Sequence, residues 1–134
     1  MYIHVYENNP TAGGTDGTLV SEGISATPIT ISLDATSNQV SAPIKLAVRC
    51  DSGFQANSGV TISLVGTTAA KWAMAPDSGG VAGIFGAYGA PLTISSVIGT
   101  TNVIFWAEAK ATSDEIPQND ISVKFQGQAQ ISAV

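Results

Sequence analysis

The sequence predicts an all-β fold, an antiparallel β-sandwich of about seven to nine strands. Apolar and polar residues alternate with a period of two in many short stretches, which is typical of strands with one buried face. Clusters of Gly, Pro, Asn, Asp and Ser interrupt the alternation about every ten residues, as in sandwiches and barrels. Charged residues make up only 11% of the 134-residue chain. Ser, Thr, Asn and Gly take their place, and these residues favour turns and strands over helices.

The first half of the chain contains five of the predicted strands, at residues 2–6, 18–24, 28–33, 44–50 and 60–64. Each strand except 18–24 places apolar residues on one face and polar residues on the other. The apolar positions are Ile3 and Val5; Ile29, Ile31 and Leu33; Ile44, Leu46, Val48 and Cys50; and Val60, Ile62 and Leu64. Lys45 and Arg49 lie between apolar positions, so we expect them on a solvated face.

The second half contains the predicted strands 71–75, 92–97, 102–112 and 121–134, the last with a bend at Gly127. Trp72 and Met74 share a face in the first of these, which the turn formers of residues 76–80 close. The longest is 102–112. One of its faces carries Val103, Phe105, Ala107 and Ala109, and the other Ile104, Trp106, Glu108 and Lys110.

We expect residues 1–134 to form a single domain, because the length fits one core and no linker or boundary interrupts the pattern. Strand number and chain length fit an Ig-like or a jelly-roll arrangement. Cys50 is the only cysteine, so an internal disulfide is excluded and the fold must depend on packing.

The charge of the chain argues against nucleic acid as a partner. The net charge is −5, and the five basic residues are scattered singly along the sequence. A phosphate backbone is normally bound by clustered Lys and Arg. No run of about eighteen apolar residues occurs, so we expect no insertion into a membrane.

The sequence also argues against an enzyme, and no cofactor is expected. Acid–base and nucleophilic catalysis need a base beside its partner, and His4 is the only histidine. No nucleophile elbow, phosphate-binding loop or zinc motif is present. A small hydrolase that uses the carboxylates of Glu108 and Asp114 is the enzymatic alternative.

A metal site is not expected, and the calcium candidates are Asp114, Glu115 and Asp120. Their carboxylates are ligands of the kind that calcium prefers. An acidic loop between two strands also serves simply to stay solvated, and the spacing is not that of an EF-hand.

The candidates for binding or assembly are Ile84, Phe85, Tyr88 and Trp106. The first three lie in the glycine-rich and alanine-rich residues 79–90, a connection too long for a tight hairpin. Because exposure of apolar side chains to water is unfavourable, we expect these three side chains to dock on this domain or on another subunit. Trp106 is a candidate platform for a sugar ring if its face of the strand is exposed.

Residues 104–120 (IFWAEAKATSDEIPQND), followed by an alternating strand, resemble the last hairpin of Ig-like modules in bacteriophage and prophage virion proteins. This resemblance implies a tail, baseplate or capsid-surface component that assembles with copies of itself. A particle protein released by lysis needs no export signal, and the sequence shows neither a basic n-region nor an apolar h-region at its start.

The first hypothesis is therefore a non-enzymatic structural or accessory protein of a virion, which acts as an assembly module. Its partners would be copies of itself or other virion proteins, because an open sandwich with few lysines leaves strand edges unguarded. The alternative is an extracellular module for cell-surface adhesion or carbohydrate binding, cohesin-like in size, from a longer secreted protein.

Overall fold

The computed structural model of the chain describes residues 2–20, 40–66, 69–111 and 124–134. Helical structure in this part is confined to one 3-10 turn, Ala69–Lys71. The strands are β1 Ile3–Glu7, β2 Thr18–Leu19, β3 Ile44–Cys50, β4 Phe54–Ala56, β5 Val60–Val65, β6 Trp72–Ser78, β7 Val81–Ala82, β8 Leu92–Ile94, β9 Val103–Ala109, β10 Lys124–Gln128 and β11 Ile131–Ala133. The predicted all-β sandwich is confirmed.

The strands form one large and two small antiparallel sheets. The large sheet has six strands in the order β2-β1-β3-β9-β6-β7. A three-stranded sheet, β10-β5-β8, and a two-stranded sheet, β11-β4, complete the described part of the chain. That part holds eleven strands, more than the seven to nine expected, because β4 and β7 were not predicted and the predicted strand 121–134 is divided into β10 and β11. The predicted strand 28–33 lies outside the described residues.

The core lies between the large sheet and the smaller ones. Phe105 of β9 is fully buried, and its ring centroid lies 6.4 Å from that of Phe125 in β10. Phe125 also meets Trp72 of β6 edge to face, at 5.6 Å. Residues from all three sheets contribute to the buried cluster, among them Ile3, Leu46, Val48, Ala56, Ile62, Met74 and Phe125. Apolar burial across the two layers therefore provides the main stabilisation.

Strands β3 and β9 follow the predicted alternation except at Ala47 and Ile104, which are buried on the face opposite the core. Leu46, Val48 and Cys50 are buried, whereas Lys45 and Arg49 are half-buried. Phe105 and Ala107 face the core. Trp106 and the residues that alternate with it therefore face the opposite side of the large sheet, which we call the outer face.

Strand β6 is longer than predicted, because it continues through Pro76 to Ser78 instead of ending there. Pro76 pairs with Phe105 of β9, and its carbonyl oxygen accepts a hydrogen bond from the amide of Gly83. Proline removes one donor but keeps its acceptor and an extended backbone, so a strand near a sheet edge tolerates it.

Glu7 is a buried carboxylate at the end of β1, with 7% of its surface exposed. It follows Ile3 and Val5 on the core side of this strand. Burial raises the pKa of the Glu7 carboxyl above its usual value of 4.5. The folded state therefore binds the proton more tightly than the unfolded state, and this group favours folding below pH 4.5 and opposes it once pH exceeds the raised pKa.

Replacing the carboxyl by an amide should remove that penalty. We expect Glu7→Gln to raise the melting temperature at pH 7 by a few degrees, and the gain should vanish near pH 4, where wild-type Glu7 is protonated. Thermal unfolding followed by circular dichroism between pH 4 and 8 measures both effects. A lower melting temperature of the variant at pH 7 would contradict this account of Glu7.

Candidate functional site

A segment in which glycine recurs every third residue lies along the edge of the large sheet. Residues 80–89 read GVAGIFGAYG, and we call them the glycine segment. Three of its amides donate to main-chain oxygens of β6: Gly83 to Pro76 at 2.8 Å, Gly86 to Met74 at 3.0 Å and Gly89 to Trp72 at 2.7 Å. Every third residue of the segment thus donates a hydrogen bond to every second residue of β6, and we call this pairing the three-to-two match. The segment is held along the strand and is not an open loop.

Glycine is required at several of these positions by the backbone. Gly79 and Gly80 have φ angles of 66° and 92°, and they form the two-residue turn between the paired residues Ser78 and Val81. Positive φ at both turn residues matches the twist of a tight hairpin and is open to glycine without steric cost. At Gly83 a Cβ atom would lie 2.9 Å from the Pro76 carbonyl oxygen, so a side chain there would press on the acceptor of the first hydrogen bond.

Because glycine recurs every third residue, the two positions between successive glycines each have the same degree of exposure along the segment. Val81, Ile84 and Ala87, which each follow a glycine, are exposed, and we call them the apolar stripe. The exposed fraction is 62% for Val81 and 91% for Ile84. The next positions, Ala82, Phe85 and Tyr88, are half-buried. Leaving an isoleucine in water forgoes about 2 kcal/mol of burial, so a row of exposed apolar side chains on an ordered edge is suited to contact with a partner.

Tyr88 docks on the outer face of the large sheet. Its hydroxyl donates to Glu108 Oε1 at 3.3 Å, and Lys110 Nζ lies 4.2 Å from its ring centroid. Burial raises the pKa of the Tyr88 hydroxyl above its usual value of 10.0, and the negative charge of Glu108 adds to the rise. The phenol therefore stays protonated at neutral pH and ties the glycine segment to β9 across β6.

The side chain of Trp106 extends from β9 over the outer face of β6. It pairs with Ala75, and its indole Nε1 donates to Asp77 Oδ1 at 2.9 Å, two residues further along the same face of β6. Because Ala73 and Ala75 present only methyl groups on this face, the indole and the phenol can both lie over β6. Trp106 is half-buried.

The four predicted binding residues therefore occupy two neighbouring surfaces. Ile84 projects from the apolar stripe, whereas Tyr88 and Trp106 lie on the outer face, and Phe85 is half-buried in the segment between them. Whether they bind a partner stays a prediction. The calcium candidates Asp114, Glu115 and Asp120 lie outside the described residues. Glu108, the other carboxylate of the hydrolase alternative, accepts the bond from Tyr88.

His4 has a carboxylate beside it that the sequence did not indicate. Its Nε2 lies 3.2 Å from Asp51 Oδ2. The neighbouring thiol of Cys50 cannot join this pair, because Cys50 is opposite Ile3 on the core side of the sheet, whereas His4 is opposite Arg49. The Cys50 thiol donates to the Ile98 carbonyl oxygen at 3.5 Å, and burial raises its pKa above 9.0. This thiol is packed in the core and protonated.

The sequence also did not indicate a polar network that lies at the end of β3. Asn102 is buried, and its Nδ2 donates to Asp16 Oδ1 at 2.9 Å and to the Thr11 carbonyl oxygen at 3.0 Å. The amide and the hydroxyl of Thr11 both donate to the Asp16 carboxylate at 2.8 Å, and they lower the pKa of Asp16 below its usual 3.8. Arg49 Nη1 donates to Asn102 Oδ1 at 2.7 Å. The network fastens residues 11–16 to the large sheet.

No family model, curated protein or solved structure matches the chain. Within the described ranges, no three His, Cys, Asp or Glu side chains are grouped so that they could hold a metal ion. The same ranges contain no helix with the length and apolarity needed to cross a membrane.

The three-to-two match between the glycine segment and β6 can be tested with two alanine variants. Gly83→Ala should lower the free energy of unfolding by about 1–3 kcal/mol, because its Cβ presses on the Pro76 carbonyl. Gly86→Ala is the matched control, because there the nearest atom to a Cβ is the Met74 oxygen at 3.8 Å. We expect this control to be neutral or to stabilise by about 0.5 kcal/mol. Urea unfolding measures both, and equal losses would contradict the match.

Proposed function

We propose that the protein is a non-enzymatic structural or accessory component of a bacteriophage or prophage virion, in which the sandwich acts as an assembly module. The observation that carries this proposal is the apolar stripe, in which an isoleucine with 91% of its surface exposed lies on an edge held by main-chain hydrogen bonds. Its partners are copies of the same chain or other virion proteins.

The rigidity of the glycine segment supports a role in assembly. Three hydrogen bonds to β6 and the bond from Tyr88 to Glu108 hold the segment before any partner arrives. A surface that is already ordered loses little conformational entropy on association. The resemblance of residues 104–120 to hairpins of virion Ig-like modules favours the same function, with the virion as the location of the protein.

A charged side chain in the stripe should abolish self-association without harm to the fold. We expect the wild-type chain to form oligomers at tens of micromolar in light scattering, and Ile84→Lys to be monomeric with an unchanged melting temperature. Val97→Lys is the control, because Val97 is a valine with 55% exposure outside the stripe. A monomeric wild-type chain would contradict self-assembly. Absence of the chain from purified particles, by mass spectrometry, would contradict the virion location.

A second candidate function is an extracellular adhesion or carbohydrate-binding module, and the position of Trp106 favours it. The bond to Asp77 orients the indole across β6 on the outer face, where a sugar ring can stack on an aromatic surface. Lys45 lies opposite Trp106 on β3, so polar groups flank the ring on both sides.

This second candidate predicts binding of a neutral oligosaccharide at Trp106. Titration with cellohexaose should then change the tryptophan fluorescence, and Trp106→Ala should remove the change and weaken binding by at least tenfold. Trp72→Phe is the control for fluorescence, because Trp72 packs against the core and not on the outer face. If cellohexaose and other neutral oligosaccharides leave the fluorescence unaltered at millimolar concentration, the candidate fails.

A further inference from the structure

Arg49 is a half-buried cation that the fold holds in one place. Its Nη1 donates to the main-chain oxygen of Asp16 at 2.8 Å and to Asn102 Oδ1 at 2.7 Å. Its guanidinium carbon lies 3.6 Å from the ring centroid of Tyr6, which is a cation–π contact. This contact and two hydrogen bonds together fix the position of the guanidinium.

The hydrogen-bond acceptors of Arg49 are neutral groups, although its charge also helps to lower the pKa of the nearby Asp16 carboxyl. Both acceptors of Nη1 are uncharged, and the guanidinium forms no ion pair with a carboxylate of the described residues. The carboxylate of Asp16 accepts from Thr11 and Asn102 instead. The donors on Nη2 and Nε make no hydrogen bond within the described part of the chain. Arginine usually satisfies this edge with a carboxylate or phosphate, which two parallel N–H groups can bind together.

The guanidinium lines an open cavity of about 370 Å³ on the surface of the large sheet. Most of the wall is polar. Besides Arg49, it is formed by Tyr6, Cys50, Asp51 and the hydroxyl residues Thr15, Ser52 and Thr100. The volume falls within the usual range for small-molecule sites, and the convergence of several polar groups on it is typical of such sites.

We propose that this cavity binds an acidic sugar, with the carboxylate of the sugar on the Nη2 and Nε donors of Arg49. The planar fork of arginine matches a carboxylate. The three hydroxyl residues and the Asp51 carboxylate can exchange hydrogen bonds with sugar hydroxyls. The net charge of −5 disfavours a polyanion, whereas a ligand with one carboxylate can place it on Arg49 and turn its neutral hydroxyls toward Asp51. This site is independent of the apolar stripe and of Trp106.

The test is a titration of the 15N-labelled full chain with sodium glucuronate, followed by NMR. We expect saturable shifts of the Arg49 Nε–H signal and of the amides of Thr15, Ser52 and Thr100. Glucose should bind at least tenfold more weakly than glucuronate. Equal shifts with glucose, or with sodium chloride at the same ionic strength, would overturn the proposal. Tighter binding of N-acetylglutamate than of glucuronate would assign the site to an acidic peptide instead.

Variants separate recognition of the carboxylate from simple attraction of charge. Arg49→Lys keeps the charge but loses the planar fork, so its affinity for glucuronate should fall about tenfold or more. Lys45→Gln removes a positive charge from the same face of β3, outside the cavity wall, and should leave the affinity unchanged. If Lys45→Gln weakens binding as much as Arg49→Lys does, the proposal fails.

A further variant keeps the test valid if the change at Arg49 loosens the network. Thr100→Val alters the cavity wall at an exposed residue and should leave the melting temperature unchanged. We expect it to weaken binding of glucuronate at least threefold through loss of a hydrogen bond to the sugar. Full affinity in both Thr100→Val and Ser52→Ala would overturn the role of the hydroxyl residues and with it the assignment to a sugar.

Discussion

The packing of Phe105 against Phe125 joins the two layers of the sandwich, and the positions of the surface residues depend on it. Phe105 lies in β9, which is paired with β3 on one side and β6 on the other. Side chains of a strand alternate between its two faces, so with Phe105 inside, Trp106 and Glu108 must point outward. A shift of one residue would reverse every face of the strand. The core therefore determines which residues of β9 can meet a partner.

Those parts of the fold in which local pattern and burial agree could be predicted from the sequence. In β3, charged residues alternate with apolar ones, so both the strand and its inward face were evident before the structure. The extension of β6 through Pro76 could not be predicted from the sequence, because proline and the glycines after it are turn formers in most contexts. Here Gly79 and Gly80 form the turn only after Ser78, and three later glycines hold the returning chain against the strand.

The surface features were predicted less completely, for two physical reasons. The glycine segment has a period of three, which a search for periods of two and 3.6 does not detect, although the spacing of Gly80, Gly83, Gly86 and Gly89 was visible in the sequence. The network around Arg49 joins residues that are distant along the chain: Asn102 is 53 positions from Arg49 and 86 from Asp16. Taken alone, Asp16 has the pattern of an ordinary turn residue, and only the tertiary fold brings it to Asn102.

The three-to-two match also restricts how the length of the edge can vary. Removal of one whole triplet would shorten the segment by one step along β6 and keep glycine against the strand and apolar side chains toward solvent. Loss of a single residue would instead turn a bulky side chain toward the carbonyl oxygens of β6 and a glycine toward solvent. Natural variants of this edge should therefore differ in length by multiples of three residues. Any other insertion or deletion would place the wrong side chains against β6.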